Sequence, residues 1–546
     1  MSVLEGQEQL VEVAASEVGS PGGTPVGVEK TFRSYDPEQV LLMAPVLSEW
    51  LPEGHLAHFV SDLVESGALD LSGIYASYEE ERGFPPYDPR LMVKLLVYGY
   101  AVGVCSSRKL ERATYEDVAV RMLCAGQHPD FRSVGRFRAR HLEELSELFV
   151  ESLRLCREAE LVGLGSLALD GTKLRANASR HKAMSYERMQ RKEQELDAEV
   201  ELLRRNVKRL FEEAERVDAE EDERFGPDRR GDELPEALRD REQRLAVIRK
   251  AKQALEDEAA ARETARRAEL VEQGKQPRPP RDGRDPFKPK PTAQRNFTDP
   301  ESRIMKTSDG SFHQCFNGQA VVDSKTQVIV AADLSEQAPD AEQLAPALDQ
   351  LDENLAAIGA ELPDGATLAA DAGYFSEQNV KTAAAHGLDP HIATGRFKHN
   401  EPQAPAPRGP IPKNATPKQL MARKLKTKNG RAVYSRRKTI VEPVFGQMTT
   451  TQDARQLLLR GKQAARAQWR FHCAVHNLLK LHRNGGLTRL KTNTTTNSNP
   501  PHTTTPGERF HSRLRNHATT IGPWLNRHLH PHPRIGAPLL LTDPRS

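Results

Sequence analysis

At 546 residues, with 37% hydrophobic and 28% charged side chains, the chain is too long for one ordinary domain, and part of it builds no core. A formal net charge of +2 excludes a uniformly basic protein. Acids gather in the middle and cations in runs elsewhere, which permits a nucleic-acid partner without requiring one. Cys105, Cys124, Cys156, Cys315 and Cys473 form no C-x-x-C pair, which argues against a zinc site or a disulfide frame and for a reducing compartment. No apolar run approaches a membrane span, and the acidic N-terminus lacks the basic start of a signal peptide, so a soluble cytoplasmic protein with no membrane partner is expected.

Residues 1–30, rich in Glu, Gly and Ser, read as a disordered leader. Residues 31–160 turn helical. A strongly apolar segment holding Leu91, Val93, Leu95, Leu96 and Tyr98 follows a Pro-rich stretch, and Ser106 or Ser107 is placed to cap the next helix. Ser133 is a candidate cap for a further helix bearing Arg136, Arg138 and Arg140. That helix fits the second helix of a helix-turn-helix lying in a DNA groove. It fits equally a surface helix whose alternate arginines are solvated.

Residues 161–181 hold the most informative stretch, Leu167-Ala-Leu-Asp170-Gly-Thr-Lys173-Leu-Arg175. An apolar run of strand length ends on a carboxylate, followed by a Gly turn and two cations. Residues 182–290 then leave the core. Leu196, Val200, Leu203, Val207, Leu210, Ala214 and Val217 alternate in steps of four and three, a heptad seam. Gly and Pro break it near 226–231, and a second run carries Leu238, Leu245, Ile248 and Leu255, with Arg241 and Lys252 intruding on its seam. Together the two runs predict an antiparallel coiled-coil hairpin.

Residues 291–483 return to a globular pattern. Two β-branched runs, 316–323 and 326–333, flank Ser324-Lys325 as a hairpin, and a helix with Leu344, Leu348, Leu351 and Leu355 on one stripe follows. A second strand ends on Asp371 in Asp371-Ala-Gly-Tyr374, and Ser376 is placed to cap the helix after it. A basic, Pro-rich stretch from Arg396 to Lys428 reads as a mobile loop. The next helix carries Tyr434, Arg437, Lys438 and Glu442, with Tyr434, Lys438, Glu442 and Phe445 on one face. Residues 484–546 have no core-forming pattern, and His528, His530 and His532 belong to that low-complexity tail. Two aspartates at strand ends and a glutamate on a helix form a set of hard oxygen donors suited to two divalent cations.

This order, and the wording around it, resembles the RNase H-like core of DDE-class insertion-sequence transposases. The matching segments are Leu-Ala-Leu-Asp170-Gly-Thr-Lys, Asp371-Ala-Gly-Tyr374, Thr439-Ile-Val-Glu442-Pro-Val-Phe-Gly, Leu458-Leu-Arg460-Gly and His476-Asn477-Leu-Leu-Lys480. The resemblance implies an α/β fold, a mixed sheet flanked by helices, with an all-α N-terminal domain and the hairpin inserted. It implies Asp170, Asp371 and Glu442 as catalytic metal ligands for two Mg²⁺ ions, with Mn²⁺ able to substitute. Lys173, Arg175, Tyr434, Arg437, Lys438 and the three arginines of the helical domain would contact DNA, both element ends and target, in a homodimer or higher synaptic complex. In the Tyr-Arg-Glu-Lys signature, Tyr434 and Arg437 match, but Arg437 lies five residues before Glu442, one more than the pattern. Lys438, four before, can take the Arg role, and the position of the final Lys is Thr449. The implied reaction is cutting of element ends and their joining to target by two-metal phosphoryl transfer. The alternatives are a metal-dependent nuclease without strand transfer and an inactive DNA-binding relic.

Overall fold

The computed structural model describes residues 46–78, 86–179, 182–225, 236–272, 274–278, 283–307, 309–395, 409–412 and 414–494. The expected leader, the Gly/Pro break of the hairpin and the histidine-bearing tail from 495 onward lie outside the described residues. The chain opens with α1 (Leu56–Glu65), α2 (Ser72–Ala76), α3 (Pro89–Ala101), α4 (Ser107–Glu116), α5 (Val118–Leu123), α6 (Phe131–Arg140) and α7 (Leu142–Glu158). Helix α3 begins where Asp88 accepts from the Arg90 amide and Pro89 supplies a preset φ; nearly all its side chains are buried. Helix α6 is capped by Asp130, which accepts from the Arg132 and Ser133 amides, while Ser133, the expected cap, donates its hydroxyl to the same carboxylate. At α4 the backbone turns at Ser106 without a side-chain cap, and the Ser107 hydroxyl serves Arg138 instead.

The sheet follows. Strand β1 (Ser166–Arg175) is succeeded by the short β2 (Ala183–Ser185), the long helices α8 (Tyr186–Phe225) and α9 (Glu236–Glu272), and β3 (Gln294–Asn296), which pairs β2. Then come β4 (Arg303–Lys306), β5 (Phe312–Asp323), β6 (Ile329–Ser335), α10 (Leu344–Ala357), β7 (Thr367–Ala370), α11 (Glu377–Ala385) and β8 (Asp389–Ile392). Strand β5 is antiparallel to β1 on one side and to β4 and β6 on the other, whereas β1–β7 and β7–β8 are parallel. The main sheet is therefore mixed, in the order β4-β5-β1-β7-β8 with β6 beside β5. Two local readings change. Strand β1 does not end at Asp170 but runs five residues further through Gly171, because β5 pairs it residue for residue from Leu167 to Arg175. The β5–β6 connection is longer than Ser324-Lys325, since β6 starts only at Ile329 and Gln327 adopts φ 64°.

The chain closes with α12 (Pro417–Lys426), α13 (Lys428–Thr450), α14 (Lys462–Arg483) and α15 (Gly486–Thr494). Within the stretch read as a loop, Thr416 and Gln419 form a capping box and start α12. Helix α14 lies between the helical segment and the sheet. Its Asn477 exchanges both amide bonds with Ile329 of β6 (2.8 and 2.9 Å), and His476 and Lys480 bind the carbonyl and side chain of Gln327. Side-chain amides thus satisfy a sheet edge that would otherwise be open. On its other side α14 packs along α7, and one apolar core runs from Leu63 and Leu96 through Phe149 and Trp469 to Val321. The helical segment shares its core with the sheet. Beyond Arg483, α15 sets Leu487 and Leu490 against the same core.

Helices α8 and α9 form an antiparallel pair. From Tyr186 to Arg204 along α8 the partners on α9 fall back from Glu256 to the Arg241–Glu242 turn: Tyr186 with Glu256, Glu193 with Arg249 and Lys252, Glu199 with Arg241, Arg204 with Glu242. Leu196, Val200, Leu245, Ile248 and Leu255 are buried between them, with Met189. The cations that interrupted the second seam are therefore answered by acids of the first helix. Val207, Leu210, Ala214, Val217 and Leu238 have side chains outside the described ones.

Candidate active site

The parallel pairing of β1 with β7 stops at Leu169 opposite Ala370, so the next residue on each strand is an aspartate. Asp170 and Asp371 thereby stand side by side where the parallel pairing ends: Asp371 directly follows β7, at the kind of carboxyl edge where open α/β sheets bind ligands, while Asp170 stays within β1, which continues along β5. Asp371 leaves its strand and accepts from the Gly373 amide at 2.7 Å, opening a 3₁₀ turn over Ala372–Tyr374. Asp170 accepts from the Gly171 amide at 2.9 Å and from Arg437 Nη1 at 2.6 Å. Burial raises the Asp170 carboxyl above its ordinary value; Arg437 and the Gly171 amide pull the other way, and the charge of Asp371 adds to the rise.

Arg437 arrives on the inner face of α13, which buries Arg437, Ile440, Val441, Val444 and Met448 at helical spacing. Half-buried Tyr434 lies one turn earlier and close to the same charges: burial raises its phenol, Arg437 lowers it, and Asp371 and Asp170 raise it. The structure thus gives the contact with Asp170 to Arg437 and leaves Lys438 exposed. Glu442 is exposed on α13 and does not share the buried stripe. Among the described residues no three His, Cys, Asp or Glu side chains are grouped to hold a metal ion. Two adjacent carboxylates with a raised Asp170 are chemically suited to a hard divalent cation, which relieves their mutual repulsion. Asp170 and Asp371 would hold it.

The other predicted contacts divide. Lys173 turns to Asp340, 3.1 Å away, and to the Ala338 carbonyl. Arg175 pairs with Asp309 at 2.9 Å. In the helical segment Arg136 is exposed, Arg140 bonds the Ser77 carbonyl and covers the Tyr78 ring, and Arg138 is turned inward. Arg138 donates to the Cys105 carbonyl (2.8 Å), Tyr100 Oη and Ser107 Oγ. An arginine so engaged joins α6 to α3 and α4, and its guanidinium faces inward and not the solvent where a DNA contact was expected.

A layer around the aspartates escaped the sequence reading. Asp340, just before α10, accepts from Asn317 Nδ2 at 2.8 Å and from Lys173, and Gln319 Nε2 lies 3.4 Å away. The buried Tyr374 hydroxyl donates to Gln319 Oε1. Burial drives the Tyr374 phenol well up, and the charges of Asp340, Asp170 and Asp371 drive it the same way. The available signals were the polar Asn317 and Gln319 within the apolar run from Cys315 to Val322.

A mixed sheet with two aspartates side by side where β1 and β7 stop pairing, overlaid by a basic helix, makes a carboxylate-centred α/β core. Residues 286–478 match the family model described as "Transposase DDE domain", and residues 45–140 match "Transposase domain (DUF772)". Together the two matches support an insertion-sequence DDE transposase, a family whose catalytic core is RNase H-like. Members of this family act on DNA as nucleases and transferases and generally use divalent metals. Strand β1, with Asp170, lies outside both matches, on the far side of the α8–α9 insertion. No curated protein and no solved structure matches the chain.

Proposed function

We propose that the chain cuts the ends of its insertion sequence and joins them to target DNA at the site formed by Asp170 and Asp371. The observation that carries this reading is the register that makes both aspartates the first residues beyond the last parallel pair of β1 and β7. Asp170 and Asp371 bind two Mg²⁺ ions, with Glu442 completing the ligand set from α13 and Mn²⁺ able to substitute. Divalent ions there supply the Lewis acidity that phosphoryl transfer needs at the attacking and leaving oxygens. Arg437 holds Asp170 in place from the α13 side, and Tyr434 covers the same edge. Exposed Lys438, together with Arg175, meets DNA phosphates, so binding is salt-sensitive. The antiparallel α8–α9 pair acts as a coiled-coil arm that brings two or more protomers together in the cytoplasm. No protein nucleophile is required, which lets one site hydrolyse an end and then use the freed 3′-hydroxyl on target.

The test uses the full chain, a duplex carrying the element's own end, and Mg²⁺ or Mn²⁺. Wild type is expected to nick at the end and to join pre-cleaved ends to a second duplex. Asp170→Ala and Asp371→Ala abolish both and leave DNA binding largely intact. Metal-dependent nicking retained by Asp170→Ala overturns the assignment. Nicking without joining identifies a nuclease, and wild-type binding without nicking identifies an inactive relic.

A further inference from the structure

Four residues of the two aspartate motifs converge on one side chain. Lys173 of Asp170-Gly-Thr-Lys173 pairs with Asp340, and Gly171 lies directly beneath it: a Cβ on Gly171 would come 3.2 Å from Asp340 Oδ1 and 2.5 Å from Gln319 Nε2. In Asp371-Ala-Gly-Tyr374, a Cβ on Gly373 would come 3.3 Å from Asp340 Oδ2 and 3.0 Å from Asp371 Oδ1. Tyr374 reaches the same group through Gln319, which it binds with its hydroxyl. A methyl group at Gly171 would collide with Gln319 and crowd Asp340, and one at Gly373 would crowd both Asp371 and Asp340, so both glycines let the chain pass close to this carboxylate. Asn317, fully buried on β5, closes the remaining side and also holds the Gln337 carbonyl.

We infer that Asp340 is a positioning residue that sets the separation of Asp170 and Asp371 by clamping the strand after the first to the turn after the second. One oxygen gathers Lys173 of β1 and Asn317 and Gln319 of β5; the other abuts Gly373 in the turn that Asp371 opens. Asp340 therefore belongs to the layer behind the carboxylates that touch the ligand, where losses fall on ligand affinity more than on folding. Lys173, on this account, serves the clamp and not a DNA phosphate. The inference rests on the proposed metal role of Asp170 and Asp371 for its consequence, though not for its geometry.

The test compares wild type with Asp340→Asn, which keeps size and removes charge, and Gly373→Ala, which pushes a methyl between the two acids from the other side. Hydrogen exchange followed by mass spectrometry reads peptides covering 170–175 and 371–376, and calorimetric titration with Mn²⁺ alone reads the site. Both variants are expected to keep the wild-type unfolding transition, to exchange faster in those two peptides and not in the α8–α9 pair, and to bind Mn²⁺ about tenfold more weakly. Unchanged exchange at 371–376 in both variants overturns the clamp. Faster exchange with unaltered Mn²⁺ affinity overturns its role in positioning the site. If wild type itself binds no Mn²⁺, the proposed function fails while the exchange comparison still decides the clamp.

Discussion

Arg437 Nη1 donates to Asp170 Oδ2 at 2.6 Å, so the helix carrying the acidic candidate Glu442 is pinned to the strand carrying the first aspartate. The side chains are 10% and 22% exposed, shielded enough that neither charge is fully answered by water. Removing one partner leaves the other charge partly desolvated, a cost of about 1–3 kcal/mol. Arg437→Met is expected to lower the unfolding free energy by that amount in urea titration. Arg437→Lys should recover only part of it, since an ammonium lacks the planar fork. A Met variant as stable as wild type would show that the pair contributes nothing.

How far the site could be read in advance follows from the same pair. Asp170 and Asp371 were legible because apolar runs of strand length ended on them. The continuation of β1 through Gly171 was not, because glycine reads locally as a turn and only the pairing with β5 makes it strand. Asp340 stands in a polar run before a helix, and its importance depends on which residues of β1 and β5 lie opposite one another. On α13, counting by fours put Tyr434, Lys438 and Glu442 on one face; the buried stripe instead runs through Arg437, Val441 and Val444. Apolar neighbours decide which way a helix turns, and its charged residues follow.

Arg138 and Arg136 are two residues apart on α6 and should behave oppositely. Arg138 is 7% exposed and makes three hydrogen bonds across α3, α4 and the segment between them. Arg138→Ala orphans those acceptors and should cost roughly 2–4 kcal/mol. Arg136→Ala, on the exposed side, should stay within about 0.5 kcal/mol. Thermal unfolding of the two variants distinguishes them, and equal effects would contradict the inward placement of Arg138.

His472 lies fully buried in α14 against the Tyr100 ring, and burial, helped by the charge of Arg138, lowers its pKa to about 3. His476, bonded to the Gln327 carbonyl, is likewise lowered to about 3. Each binds a proton more readily when unfolded, so between the unfolded value near 6.5 and about 3 their contribution to stability falls as pH falls. From pH 7 to pH 5 each should contribute a loss of about 2 kcal/mol. His472→Phe should roughly halve the combined loss in urea titrations at the two pH values. An unchanged pH dependence in the variant would mean His472 is not held neutral.

Glu442 separates a structural from a chemical role most sharply, because it is exposed on α13 while Asp170 and Asp371 are half-buried where β1 and β7 stop pairing. An exposed acid outside the buried stripe contributes little to folding, so Glu442→Gln should leave unfolding within about 0.5 kcal/mol of wild type. If Glu442 completes the ligand set, the same variant loses metal-dependent nicking by at least about a hundredfold, the upper range seen when a group next to a metal site is removed. Pro443 follows it inside the helix and removes one backbone hydrogen bond, so α13 can bend where Glu442 must approach the two aspartates. Pro443→Ala should therefore stiffen the helix, raising its stability while slowing nicking. Stable Glu442→Gln that nicks at the wild-type rate would confine the chemistry to the two aspartates and leave the glutamate as an ordinary surface charge.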